Sequence, residues 1–199
     1  DVQVRLAGNT TSTPEIILVI FWTQTAPTTF NQPIWNTGWQ TIFINSTQAM
    51  TSIRSMMNSS NVLWISKYNS TSQKFEVYKA GWSIGATRTI TDGDAAYIKF
   101  LNNDTVTRDN GMGNYNWTLS PGWNLLGMDY NGTRTLSQIN TSINNVGLCE
   151  CDIISYTELE TQIEYTYMCG LTNNETIEIR QGEGFFGNAT TIISRARSW

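Results

Sequence analysis

The side chains that most often carry out catalysis are sparse in this sequence. Its 199 residues include no histidine, which excludes Ser-His-Asp and Cys-His triads, His-ligated metals and most acid–base mechanisms. Two pairs of carboxylates are candidates for the catalytic pair of a glycosidase: Asp92 with Asp94, and Glu158 with Glu160. Each pair lies in a predicted turn, where acidic side chains are ordinarily solvated. We therefore expect no catalysis and no catalytic residues.

Metal and cofactor sites are weakly indicated. Asp92, Gly93 and Asp94, together with Asp104, offer oxygen ligands for calcium, but they lack the ligand spacing of an EF-hand loop. A zinc site is disfavoured because the chain has neither a histidine nor a fourth cysteine. We expect no cofactor apart from attached glycans.

The three cysteines, Cys149, Cys151 and Cys169, indicate at least one disulfide. Cys149 and Cys151 flank Glu150 and would share one face of a strand, so a bond between them would be strained. Cys169 can pair with either of them. The cysteine left over is then either a free thiol or forms a disulfide with a second subunit. The remaining alternative is that all three cysteines are reduced and buried.

Composition limits the partners of the chain. Charged residues make up only 14% of the sequence, against the usual quarter, and the net charge is −4 with a pI of about 4.8. Such a surface excludes nucleic acid and disfavours an anionic membrane. The longest apolar run, residues 16–22, is seven residues long, too short for a membrane span of about 18. The first four residues are typical of a mature N-terminus after signal cleavage, and they predict secretion.

The pattern Asn-X-Ser/Thr recurs throughout the chain and predicts an extracellular glycoprotein. An Asn- and Thr-rich surface that generates the pattern by composition alone is the alternative. The ten predicted glycosylation sites are Asn9, Asn45, Asn58, Asn69, Asn103, Asn116, Asn131, Asn140, Asn174 and Asn188.

An internal repeat organises the chain. Gly38-Trp39 and Gly122-Trp123 each open a segment that continues through a short amphipathic helix, a hairpin and a Gly-acid turn. The helix is predicted from apolar residues spaced i, i+3, i+7. These helical positions are Met50, Ile53 and Met57 in the first segment and Leu136, Ile139 and Ile143 in the second.

The pattern predicts a mainly β fold of two tandem repeats, each with one short helix, plus an N-terminal β segment. The predicted boundaries are 1–37 for that segment, 38–107 for repeat one, 108–121 for a linker and 122–199 for repeat two. The N-terminal segment is expected to supply core strands, with donation of a strand to a neighbouring subunit as the alternative.

At these residues the sequence resembles a family of small β-rich repeats in prokaryotic, especially archaeal, surface proteins. Residues 120–127 resemble the Gly-Trp-Asn-Leu-Ile-Gly opening of that family, residues 68–71 its Tyr-Asn-Ser-Thr turn, and residues 182–186 its closing Gly-acid-Gly-aromatic turn. Repeat one departs from the opening at residues 39–41, and repeat two is changed by its Cys-Glu-Cys insertion. The resemblance covers about two thirds of the chain and implies a location in S-layers, sheaths and other envelopes. Sheath proteins of filamentous methanogens are the narrower likeness.

Eight Trp, eight Tyr and seven Phe are many for this length. Trp39, Trp64, Trp123 and Phe186 occupy repeated positions, so we expect them in the core rather than on a sugar-binding face. The less regular tryptophans are candidates for contacts between subunits: Trp22, Trp35, Trp82, Trp117 and Trp199.

The sequence therefore favours a self-assembling structural glycoprotein of the cell surface, a sheath, S-layer or filament subunit whose partner is another copy of itself. Strand edges and aromatic contacts would join the subunits, and disulfides would lock them. A virion structural protein and a carbohydrate-binding adhesion module are the two alternatives.

Overall fold

The computed structural model describes residues 29–91, 93–109, 116–128, 132–144 and 149–196. The predicted strands of the first 28 residues, the donated strand among them, lie outside this part. The first half contains β1 (Thr29–Ile34), β2 (Trp39–Phe43), β3 (Gln48–Ala49), α1 (Met50–Met56), β4 (Val62–Asn69), β5 (Lys74–Lys79), β6 (Thr89–Ile90), β7 (Ala95–Phe100) and β8 (Asp104–Asp109). The second half contains β9 (Asn116–Leu119), β10 (Gly122–Gly127), β11 (Thr133–Thr135), α2 (Leu136–Ile143), β12 (Cys151–Thr157), β13 (Glu164–Met168), β14 (Glu178–Arg180), β15 (Gly184–Ala189) and β16 (Ile193–Ala196).

The mainly β fold class is confirmed, with one short helix in each half. Both helices bury the predicted apolar face: Met50, Ile53 and Met57 at α1 and the three equivalent residues at α2 are 0% exposed. The first amide of each helix donates to a carbonyl beside a short strand, that of Met50 to Arg88 beside β6 and that of Leu136 to Ile177 beside β14. The helices differ in their side-chain caps: Thr135 caps α2 through a capping box with Gln138, and Ala49 at the start of α1 makes no such bond.

The two halves have the same topology. The first has a four-stranded antiparallel sheet in the order β2-β7-β4-β5, with the short ladders β3-β6 and β1-β8. The second repeats this as β10-β15-β12-β13, β11-β14 and β9-β16. Even the irregularity recurs, because β4 and β12 each shift register once against their neighbour.

The structural repeat begins one strand earlier than the sequence pattern suggests. β1, within the predicted N-terminal segment, pairs with β8, and β9, within the predicted linker, pairs with β16. These strands lack the Gly-Trp signal, so only their pairing identifies them. We call residues 29–109 copy one and residues 116–196 copy two.

Each copy has its own hydrophobic core between its large sheet and its helix. The core of copy one includes Ile53, Ile65 and Ile98, and that of copy two includes Ile139 and Phe185. The opposite faces of the two large sheets meet each other. Small residues permit the approach, because a Cβ at Gly184 of copy two would lie 2.6 Å from the Ala95 Cβ of copy one.

The contacts between the copies are reciprocal, as at a two-fold axis. Ile42 bridges to Glu183, and Leu126, the residue equivalent to Ile42, bridges to Asp94, the residue equivalent to Glu183. The amide of Phe43 donates to the Gly182 carbonyl over 2.8 Å, and the equivalent amide of Gly127 donates to the Gly93 carbonyl over 3.4 Å. The two copies therefore pack as a pseudo-symmetric pair.

Candidate functional site

The predicted glycosylation sites differ in accessibility. Asn58, Asn103 and Asn174 are exposed, and Asn45, Asn69 and Asn188 are half-buried. Asn9 and Asn131 lie outside the described residues, and Asn116 is the first residue of β9. Six sites thus present some of their surface to solvent.

Asn140 is different, because its side chain is only 7% exposed. It lies in α2, where its Nδ2 donates to Cys169 Sγ over 3.5 Å and its Oδ1 accepts from Asn144 Nδ2 over 2.7 Å. Both ends of the amide are therefore occupied inside the fold.

Cys149 and Cys169 form a disulfide that joins the start of β12 to the turn after β13. Cys151 is unpaired and 0% exposed. Burial, assisted by the nearby Asp152 carboxylate, raises the pKa of its thiol to about 12. The cysteine left over is therefore a buried, protonated thiol, and a disulfide from Cys151 to a neighbouring subunit would require this core to open.

The acidic residues considered for catalysis or calcium do not form a cluster in the described part of the chain. Within it, no group of three or more His, Cys, Asp or Glu side chains could hold a metal ion, and Asp92 falls outside it. Asp104 lies at the start of β8, where its carboxylate accepts a hydrogen bond of 2.9 Å from Asn58 Nδ2. Glu158 accepts from Thr161 Oγ1 within its own turn.

A cleft of about 320 Å³ lies between the two large sheets. Copy one contributes residues from β4 and β5, and copy two contributes residues from β10, β12, β13 and β15. We call it the carboxylate cleft. Its lining residues are Tyr68, Phe75, Trp123, Ser155, Glu164 and Phe186.

The aromatic side chains of this cleft contact one another edge to face. Phe186 is their centre: its ring is 5.5 Å from Tyr68 and 6.3 Å from both Phe75 and Trp123, at angles between 84° and 88°. Phe75 itself is 48% exposed. The rings thus form a semi-exposed apolar wall instead of a closed core.

Polar groups at the cleft are held in fixed positions. Ser155 Oγ donates to Glu164 Oε1 over 2.6 Å, because the two residues lie on the same face of neighbouring strands. The Gln73 amide holds the Trp123 backbone, accepting from its N over 2.9 Å and donating to its O over 3.0 Å. Tyr68 OH also donates to Gln73 Oε1 over 3.0 Å, which ties the wall together across the two copies.

The two-fold relation places a second cleft of about 240 Å³ beside the first, lined by Trp39, Ser66, Phe75, Val77 and Tyr97. We call it the stacked cleft. Trp39 and Tyr97 lie parallel in it, with 5.3 Å between ring centroids and 4° between planes. Burial first, and then the Glu164 carboxylate, raises the pKa of the Tyr97 phenol.

Sequence reasoning misplaced several of these aromatics. Trp39, Trp123 and Phe186, expected in the core, are half-buried at the clefts, whereas Trp117, a proposed contact residue, is 2% exposed in the core of copy two. Strand alternation alone could not have located them. Trp123, Phe186, Ser155 and Glu164 share one face of the sheet through register pairs that only the topology supplies.

Two further findings bear on this molecule as a whole. No described helix is long and apolar enough to cross a membrane. Comparisons with protein-family models, with characterised proteins and with solved structures find no significant match.

Proposed function

We propose that this protein is a non-catalytic, extracellular structural glycoprotein that assembles with copies of itself at a cell surface, as S-layer and sheath subunits do. The observation that carries this proposal is the distribution of exposed apolar side chains. Among the residues that the structure describes, seven of the nine large exposed apolar ones lie on β5, on β13 or in the segments beside these strands. They are Phe75, Val77, Trp82, Ile84, Ile163, Met168 and Leu171.

Two of these residues occupy the same position in the two copies. Trp82 follows β5 and Leu171 follows β13, each directly after a glycine with positive φ, and both are 53% exposed. Exposed apolar side chains concentrated beside one strand of each copy, as these are, provide the kind of surface that forms contacts with other proteins. A subunit with two such contacts can join two neighbours and extend an assembly in the way that closed dimers cannot.

The outer strands favour contact through side chains over addition of a strand. The Thr166 carbonyl of β13 accepts from Asn173 Nδ2 over 2.6 Å and from Asn174 Nδ2 over 2.8 Å. At the equivalent position of β5, Gly85 covers the Val77 carbonyl so closely that a Cβ there would lie 2.8 Å from it. Such cover is a common protection against edge-to-edge pairing.

The cysteine pairing argues against the expected disulfides between subunits. With Cys149 bonded to Cys169 and Cys151 buried, the proposal is that apolar contacts join the subunits and that no disulfide between subunits is needed. Glycans on the accessible sequons would cover the remaining polar surface.

Electron microscopy of the concentrated protein and of the native surface preparation, with and without reductant, tests this proposal. We expect ordered lattices, tubes or filaments in both conditions. Trp82→Glu combined with Leu171→Glu should abolish them, while Leu101→Glu, at a leucine of similar exposure (49%) in another turn, should not. Dispersed wild-type monomers in every condition would refute self-assembly.

A further inference from the structure

We propose that the carboxylate cleft is a binding site for a neutral saccharide of another molecule, with a pyranose ring stacked on the aromatic wall and its hydroxyls donating to Glu164. This proposal goes beyond the structural role, because a single unassembled chain contains the whole site. Its elements come from both copies, so the duplication itself creates it.

The lining matches the two chemical surfaces of a pyranose. The C–H face of the ring is apolar and fits against accessible aromatic side chains, which the exposed Phe75 and the half-buried Tyr68 and Trp123 provide. The hydroxyls at the ring edge need acceptors at fixed positions. Glu164 is such a group: Ser155 occupies its Oε1, and its Oε2 makes no hydrogen bond to any residue in the described part of the chain.

The size and charge of the cleft narrow the ligand class. A volume of about 320 Å³ is at the lower end of the range of about 300–1,000 Å³ for small-molecule sites. Its lining includes one carboxylate and no lysine or arginine, which opposes phosphorylated or sulfated ligands. A compact, uncharged ligand with hydroxyl donors satisfies these limits.

A quaternary ammonium ion is the main competitor, since it also favours aromatic faces beside a carboxylate. Such an ion requires ring faces that surround it. Here Tyr68 and Phe75 lie 5.0 Å apart at 67°, and the cleft is open to solvent on one side. Its rings therefore do not surround a sphere, whereas one partly exposed ring face is enough for stacking of a pyranose.

The stacked cleft provides an internal comparison. There the Trp39 and Tyr97 rings cover each other, so neither offers both faces to a ligand. The residue equivalent to Glu164 in copy one is Phe75, so the stacked cleft has no carboxylate among its lining residues. The two clefts therefore differ in the two features that the proposal requires.

One further source of sugar lies within the chain. Asn188, a predicted glycosylation site, pairs directly with Trp123 across β15 and β10, and directly paired residues point to the same face. A glycan on Asn188 would compete for the cleft. The test therefore uses the full chain with Asn188→Gln, so that no glycan at this position competes with added sugar.

The experiment titrates this protein with maltotriose, cellotriose, mannotriose and N,N′,N″-triacetylchitotriose, all of them neutral. Binding is measured by the change in tryptophan fluorescence and by isothermal calorimetry. We expect at least one trisaccharide to bind. Glu164→Gln and Trp123→Ala should each weaken that binding about tenfold or more, through loss of a charged acceptor and of the stacking surface. Trp39→Ala, the matched change in the stacked cleft, should leave the affinity within about twofold.

Circular dichroism melting shows whether each variant is folded, and if Trp123→Ala is not, the exposed Glu164→Gln change decides. Absence of binding to all four sugars overturns the proposal. So does binding that is equally strong in Glu164→Gln and wild type, or saturable binding of choline with none of the sugars. Each readout is made on dispersed monomers, so failure of self-assembly leaves the result unaffected.

Discussion

A buried carboxyl lies at the contact between the two copies. Glu183 is 4% exposed, and its Oε2 accepts from Tyr156 OH over 2.7 Å and from the Arg180 amide over 3.0 Å. Burial is the largest influence on Glu183 and raises its pKa above the ordinary value of 4.5, although both hydrogen bonds oppose the shift. The carboxyl therefore binds its proton more tightly in the folded protein than in the unfolded chain.

This pKa direction predicts how stability depends on pH. Because the folded pKa is the higher one, the stabilising effect of protonation is complete below the unfolded value, 4.5, and is lost as pH rises through the folded value. Glu183→Gln can retain both accepted hydrogen bonds without the charge. Urea unfolding at several values between pH 4.5 and pH 8 should show a smaller loss of stability with pH in Glu183→Gln than in wild type.

Glu175→Gln, at an exposed position, is the control for this measurement and should keep the wild-type pH dependence. Identical slopes for wild type and Glu183→Gln would show that Glu183 titrates near its unfolded value despite its burial.

In α2, one residue has two possible roles that exclude each other: Asn140 can pack inside the fold or carry a glycan. Its apolar residues face the core, and Asn140 is on the buried side between Ile139 and Ile143. There it links Cys169 of the disulfide to Asn144, whose Nδ2 also donates to the Cys151 carbonyl over 3.0 Å. The amide of Asn140 thus connects the helix to the turn that the disulfide closes.

We therefore predict that Asn140 carries no glycan even where the exposed Asn58, Asn103 and Asn174 are glycosylated. Glycopeptide mass spectrometry of the native protein measures the occupancy of each site. Asn140→Ala should lower the free energy of unfolding by about 1–3 kcal/mol, because Asn144 loses a buried partner. Full occupancy at Asn140 would mean that α2 does not pack in this way when the glycan is attached.

At this scale the sequence predicted what local spacing encodes. Both helices could be found from apolar residues with a period near 3.6, and the hairpins from alternation beside turn residues. β1 and β9 could not, because their strand character depends on partners 70 to 80 residues away, such as Asp109 for Thr29. The carboxylate cleft was missed for the same reason: Phe75 and Glu164 are brought together only by packing of one copy against the other.

At the contact between the two copies, two equivalent residues, Phe43 and Gly127, meet, and there is space for a large side chain at only one of these positions. A Cβ at Gly127 would overlap the ring of Phe43, and Phe43 is the residue of copy one equivalent to Gly127. A symmetric pair with phenylalanine at both positions could not close, and one with glycine at both would leave a cavity. The two copies have therefore diverged in a complementary way, which makes the pseudo-dimer specific to this pairing.

A double-mutant cycle across this contact tests whether the two copies stabilise one another. Phe43→Ala should cost about 3–5 kcal/mol through the cavity it leaves, and Gly127→Ala about 1–3 kcal/mol through overpacking. In the Phe43→Ala protein the overlapping ring atoms are gone and only the close contact with the Cβ of residue 43, at 3.0 Å, remains, so the cost of Gly127→Ala should fall by about 1 kcal/mol or more. Gly187→Ala is the control: its Cβ would meet Cys151 Sγ at 3.2 Å within copy two, so its cost should be the same in both backgrounds. Strictly additive costs at Phe43 and Gly127 in urea unfolding would show that the copies do not share this contact in solution, and that the cleft between them is not a fixed site.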